Sequence, residues 1–155
     1  MKITLAILLF VTGLACSVSA HVGETEEEEQ IFETYLEFAA AQNARDLDAI
    51  GSFFVDDPNF LWVSDGQSVW GRDATLGRMS SFQRAEHWQV LPQLDKAEVI
   101  FLDHRVALLH MPLDLEIGNA ASLNTLPFLV SIVFRNIDGQ WRIAAMLTTN
   151  DKTPN

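Results

Sequence analysis

Apolar residues recur at helical spacing through Ile31, Phe32, Tyr35, Phe38 and Ala39, one stripe on a first helix that runs to about Asn43. The acidic run Glu26 to Glu29 suits the start of such a helix, where carboxylates complement the dipole, and Thr25 is placed to cap it. Asp46 caps a short second helix with Leu47, Ile50 and Phe54 on one face, ended by Asp57-Pro58-Asn59. Phe60 to Ser64, the turn Asp65-Gly66 and Gln67 to Trp70 form a hairpin. Gly71-Arg72-Asp73 opens a third helix with Leu76, Met79 and Phe82 facing inward. Strands follow over 87–94, 97–102, 105–115, 126–136 and 140–149, the last pair joined by Asp138-Gly139. Helices first and then a long antiparallel run predict an α+β fold, with three N-terminal helices packed on one face of a mainly antiparallel sheet.

Hairpin registers orient these strands, because opposed residues share a face. With Asp103-His104 as a two-residue turn, Leu102 pairs with Arg105, Val99 with Leu108 and Ala97 with His110. Lys96, Glu98, Ile100, Ala107, Leu109 and Met111 then share one face, which its charges mark as the outer one. Ala97, Val99, Phe101, Val106, Leu108, His110, Pro112 and Asp114 share the inner face. With Asp138-Gly139 as the second turn, Phe134 pairs with Ile143, Ile132 with Ala145 and Val130 with Leu147, an apolar face for the helices. The reverse face carries Arg135 and Arg142, then Val133, Ala144, Ser131 and Met146. So apolar an outer face predicts a homodimer buried through it.

The ends and the composition add limits. The N-terminus reads Met1-Lys2, an apolar run from Ile3 to Ala15, and small residues at Val18 and Ala20, the pattern of a secretory signal cleaved after Ala20. That run is too short for the ~20 apolar residues of a spanning helix, so no membrane span is expected. Leu14-Ala15-Cys16 vaguely matches a lipobox, which keeps a lipoprotein anchored at Cys16 as the minor alternative. The expected boundaries are a signal peptide over 1–20 and one domain over 21–155, exported, secreted or periplasmic. Residues 1–20 hold one lysine, no acid and the only cysteine, leaving 9 bases against 21 acids, a charge of −12 and no thiol chemistry. The acid excess argues against nucleic acid as a partner.

The stretch Phe38-Ala39-Ala40-Ala41-Gln42-Asn43-Ala44-Arg45-Asp46-Leu47-Asp48-Ala49-Ile50, followed by Phe54-Val55-Asp56-Asp57, resembles the opening of the SnoaL-like families. These lie in the nuclear transport factor two-like superfamily, which includes ketosteroid isomerases. Trp62 to Gly66, Trp70 to Ala74 and Asp138 to Ile143 resemble the family's strand–glycine–helix entry and its last hairpin. The resemblance implies a cone-shaped roll with a pocket, commonly dimeric, in a family that includes isomerases, dehydratases, cyclases, epoxide hydrolases and non-catalytic binding modules. It sets Phe38 where the steroid isomerase has its oxyanion-hole tyrosine and Trp62 at its general-base aspartate. Neither side chain can do that work. Many SnoaL-like members have histidines in the last strand, where this chain has Ala145, Met146 and Leu147.

Candidate chemistry rests on few residues. His110 on the inner face is the one candidate acid or base, unless its ring is satisfied by a backbone carbonyl or by Tyr35. Asp114 lies four residues on, ~13 Å away at ~3.3 Å per residue, too far for a direct dyad and equally consistent with an exposed strand end. Tyr35 either reaches the pocket or packs in the core. Phe38, Phe54, Trp62, Trp70, Leu108 and His110 are the expected ligand-binding residues, with simple packing as the alternative for the tryptophans. His21, His87, His104 and His110 show no metal-ligand spacing, and no phosphate-cradling glycine loop implies a nucleotide, so no metal or cofactor is expected. Two functions follow. The first is a non-catalytic module binding a small hydrophobic molecule or serving as a dimeric accessory domain. The second is an isomerase, dehydratase or cyclase on a hydrophobic carbonyl compound, with His110 as acid/base and Tyr35 or Asp114 assisting.

Overall fold

Helix α1 spans Ala20–Ala44 and buries Ile31, Tyr35, Phe38 and Ala39, the stripe its spacing predicts. A computed structural model of the chain describes residues 20–153. The expected signal segment, apart from Ala20, and Cys16 lie outside the described residues. The helix runs straight through Thr25, so that residue is not its N-cap. At the other end the chain reverses in a Schellman turn: Arg45 N–H donates to the Gln42 carbonyl at 3.0 Å and Asp46 N–H to that of Ala41 at 3.1 Å. Arg45 occupies the left-handed position of that turn, φ 59°, which usually falls to glycine, and its guanidinium donates to the Glu86 carbonyl at 3.1 Å. Asp46 then caps α2 (Leu47–Ser52), its carboxylate accepting from Ala49 N–H at 2.9 Å.

The remaining elements are β1 (Leu61–Ser64), β2 (Gln67–Trp70), α3 (Arg72–Phe82), β3 (His87–Pro92), β4 (Glu98–Asp103), β5 (Val106–Asn119), β6 (Ser122–Ile137) and β7 (Gln140–Asn150). The strands form one seven-stranded sheet in the order β2-β1-β7-β6-β5-β3, antiparallel except where β1 runs parallel to β7. The outer edge of β5 serves two strands, β4 along Val106 to His110 and β3 along Leu113 to Gly118. Pro112 sits where the partner changes, so its missing N–H falls in the gap, while its carbonyl accepts from Gln93 N–H at 3.1 Å. On α3, Met79 is buried but Leu76 is only half-buried and Phe82 is exposed; Thr75 is the deepest side chain of that helix.

Both late hairpins carry a bulge, and each reverses a face assignment. The first turn falls at His104-Arg105, with Asp103 opposite Val106, and Leu102 is the extra residue that brings Phe101 opposite Ala107 and Glu98 opposite His110. The β4 faces stand as expected, but β5 is turned over. Ala107, Leu109, Met111 and Leu113 point to the helices and are buried, while Leu108, His110, Pro112 and Asp114 point away. The reason is the β5 sequence: the odd-numbered row is uniformly apolar and the even-numbered row contains His110 and Asp114, so hydrophobic burial selects the former.

In the last hairpin Asp138 and Gly139 take φ 53° and 84°, the type I′ geometry, and Phe134 lies opposite Ile143 as the register predicts. Ala144 is then extra, so Ile132 faces Met146 and Val130 faces Thr148, where Ala145 and Leu147 were expected. Met146 is consequently buried inside and Leu147 stands outside with 43% of its surface exposed.

Candidate functional site

The sheet curls over the helices and leaves a cavity of about 460 Å³ between them. Tyr35, Phe38 and Gln42 line it from one face of α1, at a spacing of three and then four residues. Trp62 enters from β1, Met79 and Phe82 from α3, and Trp88 and Val90 from β3. The sheet floor is Leu113, Leu115 and Ile117 of β5 and Leu126, Phe128, Val130 and Ile132 of β6. Met146, Thr148 and Asn150 complete it from β7, on the face that the Ala144 bulge turns inward.

Polar groups on this wall are few and almost all neutral. Trp62 Nε1–H donates to Thr148 Oγ1 at 3.3 Å. Burial pushes the Tyr35 hydroxyl pKa well above its ordinary value, so that group stays protonated and able to donate. The Gln42 side chain is buried, and its backbone carbonyl accepts from Gln83 Nε2 at 3.3 Å. Trp88 Nε1 is buried with no hydrogen-bond partner among the described residues. At the rim, Ser64, Asp65 and Gly66 of the first hairpin meet Thr149 and Asn150. Just behind them the Arg78 guanidinium lies 5.2 Å from the Trp62 ring centre and 5.4 Å from that of Phe82, and donates to the Ser64 carbonyl at 3.2 Å. Among the described residues, Asp65 is the sole carboxylate on the wall, and no histidine, lysine or arginine lines it. No group of three or more potential metal ligands occurs among the described residues.

The structure therefore brings together only part of the expected set. Tyr35, Phe38 and Trp62 lie on the cavity wall. Phe54 is in the core, its ring 5.5 Å from that of Phe38 and 4.6 Å from that of Phe60. Trp70 on β2 is 58% exposed, on the outer face beside Leu61. Leu108, His110 and Asp114 were expected to point into the cone and do not, because the Leu102 bulge turns β5 over. His110 Nδ1 instead lies 2.9 Å from Ser131 Oγ, and Asp114 accepts from Gln93 Nε2 at 3.0 Å. His87 is partly exposed, its Nε2 3.2 Å from the Glu116 carboxylate.

Gln42 and Trp88 were not among the expected site residues. Gln42 was legible in principle, since it continues the Tyr35–Phe38 face by one more turn. Thr148 and Asn150 were not, because their orientation depends on a bulge.

This arrangement of helices on a strongly curved sheet enclosing a pocket is the cone fold of the nuclear transport factor two-like superfamily. The chain belongs to the SnoaL-like domain family, whose profile matches residues 31–147. Among solved structures, it is similar to a protein of unknown function from Mycobacterium tuberculosis, with 19% identity, a TM-score of 0.77, and coverage of 89% of this chain and 79% of that one. It is also similar to a nuclear transport factor two-like protein with a cystatin-like fold from Novosphingobium aromaticivorans, at 13% identity, a TM-score of 0.73, and 92% and 94% coverage. A nuclear transport factor two-like superfamily protein from Salmonella enterica gives 9% identity, a TM-score of 0.73, and 86% and 96% coverage. These likenesses define the fold. A comparison with curated proteins finds no match.

Proposed function

We propose that this SnoaL-like domain is an exported, non-catalytic module that holds a small hydrophobic molecule in its cone and pairs with a second copy through its outer sheet face. The observation that carries the reading is the composition of the cavity wall: mainly aromatic and aliphatic, with neutral polar groups from Gln42, Thr148 and the rim, and Asp65 as its one carboxylate among the described residues. A space of about 460 Å³ falls in the range of small-molecule sites. Acid–base catalysis needs a titratable group within reach of the bound molecule. His110 and Asp114 point to the opposite face of the sheet, so the isomerase, dehydratase or cyclase reading draws no support from them. Pairing is supported by the exposed apolar side chains of the outer face, among them Trp70, Ile100 and Leu147.

A thermal-shift screen of hydrophobic metabolites tests the reading, because any ligand of the native state raises its stability by mass action. Stabilising compounds should lose their effect in Leu115→Trp, which fills the cavity. A screen without a stabilising compound, or shifts that persist in the filled variant, would overturn it. Light scattering at micromolar concentration should give a dimer for the native protein and a monomer for Leu147→Lys; a native monomer removes the pairing.

A further inference from the structure

We infer that the molecule held in the cone carries, on an apolar body, a neutral group that pairs a hydrogen-bond acceptor with a donor, a carboxamide or lactam, and that the side-chain amide of Gln42 recognises it. The inference rests on the reading of the cavity as a ligand site and names the chemistry that site selects. Gln42 follows Tyr35 and Phe38 on the cavity face of α1 and is only 8% exposed. Its backbone is held from three sides. The carbonyl accepts from Arg45 N–H at 3.0 Å and from Gln83 Nε2 at 3.3 Å. The next residue, Asn43, clasps β3, donating to the Val90 carbonyl at 3.0 Å and accepting from Val90 N–H at 2.7 Å. The side-chain amide, by contrast, makes no hydrogen bond with any described residue. Trp88 Nε1 is shut off from the cavity, whereas neither polar atom of the Gln42 amide is sealed in that way, so both open onto the space the residue lines.

No contact of that amide with the described residues calls for a glutamine here. Methionine would fill nearly the same volume without burying an amide, whose lost water contacts cost stability unless a partner replaces them. The partner must answer both halves of the group, since Nε2 donates and Oε1 accepts, side by side in one plane. A ketone or ether engages the nitrogen and leaves the oxygen unpaired. An alcohol meets one half at a time. A carboxylate would set its charge against Oε1, and no lysine or arginine among the described residues lines the wall to balance it. A carboxamide or lactam presents the complementary fork and meets both atoms at once. Phe38, Val130 and Ile132 supply apolar surface for the rest of the molecule.

Three probes of similar shape test this on the full chain by titration calorimetry: naphthamide, which carries both halves of the fork; acetylnaphthalene, which keeps the carbonyl alone; and ethylnaphthalene, which has neither. Gln42→Met, nearly isosteric and apolar, should weaken the binding of naphthamide about tenfold, that of acetylnaphthalene about threefold and that of ethylnaphthalene not at all. The same substitution should leave the Tm of the ligand-free protein no lower than native, because it removes an amide that the fold does not satisfy. Gln42→Leu supplies the same readouts should the methionine variant fail to fold. Naphthamide affinity unchanged in the variants, or an equal loss for all three probes, would overturn the inference, and ethylnaphthalene bound to the native protein would then leave the cavity reading intact. A lower ligand-free Tm in both variants would show the amide already satisfied within the fold and would overturn the inference as well. No binding of any probe would overturn both.

Discussion

His110 and Ser131 stand directly opposite each other across β5 and β6, with the imidazole Nδ1 2.9 Å from the hydroxyl oxygen. The pair gives the ring a polar partner on a face that also carries Glu98, Leu108, Leu129, Val133 and Leu147, and it does so on the side of the sheet away from the cavity. His110→Ala should therefore leave unchanged the rise in Tm produced by any compound that stabilises the native protein in the thermal-shift screen. A smaller shift in the variant would place the imidazole in contact with the ligand after all.

The extra residue Ala144 sets which β7 side chains reach the interior. Deleting it closes the bulge while Ala145 still pairs with Val133 and Met146 with Ile132, so the inward face is kept. Met146 stays in the core, and denaturant unfolding of the deletion variant should show a loss below the roughly 1.5–3 kcal/mol that exposing Met146 would cost. A loss of that size or more would show that the bulge stabilises the sheet beyond setting its faces.

Arg45 holds a left-handed conformation that costs a side-chain-bearing residue about 1–2 kcal/mol. Its contact with the Glu86 carbonyl offsets part of this. Arg45→Ala loses the contact and keeps the strain, whereas Arg45→Gly loses both. The glycine variant should exceed the alanine variant in stability by about 1 kcal/mol, measured from the midpoints of urea unfolding. Equal midpoints would mean that the turn relaxes.

Tyr35 is the chain's single tyrosine, and burial raises its pKa above the ordinary 10.0. The unfolded chain ionises first as pH rises, so the native state binds more protons above pH 10 and stability falls there. Below that value the contribution is fully present. Tyr35→Phe should show a shallower decline in Tm above pH 10 than the native protein. Parallel declines would remove the tyrosine as the cause.

The helices, the last turn and the succession of strands along the chain were legible because each has a local signature: the stripe through Ile31 and Phe38, the cap at Asp46, the positive φ demanded at Asp138-Gly139. The fold class followed from them. The site was legible only on its helix side, at Tyr35 and Phe38, and at Trp62 on the first strand. Its sheet side depends on extra residues at Leu102 and Ala144, and neither side chain advertises a bulge. One such residue inverts a whole strand, which is why His110 read as interior and Met146 as exterior. A more local clue was present in β5 itself, where Ala107, Leu109, Met111 and Leu113 form an unbroken apolar row.

The change of partner along β5 divides that strand's duties. Before Pro112, the inward residues Ala107, Leu109 and Met111 are sealed in the core beneath β4; after it, Leu113, Leu115 and Ile117 border the cavity beside β3. Substitutions in the first half are paid in folding and those in the second half mainly in what the cone accepts. A lineage carrying this architecture can therefore retune its ligand by drifting along a few positions of one strand, while the segment that secures the domain stays fixed.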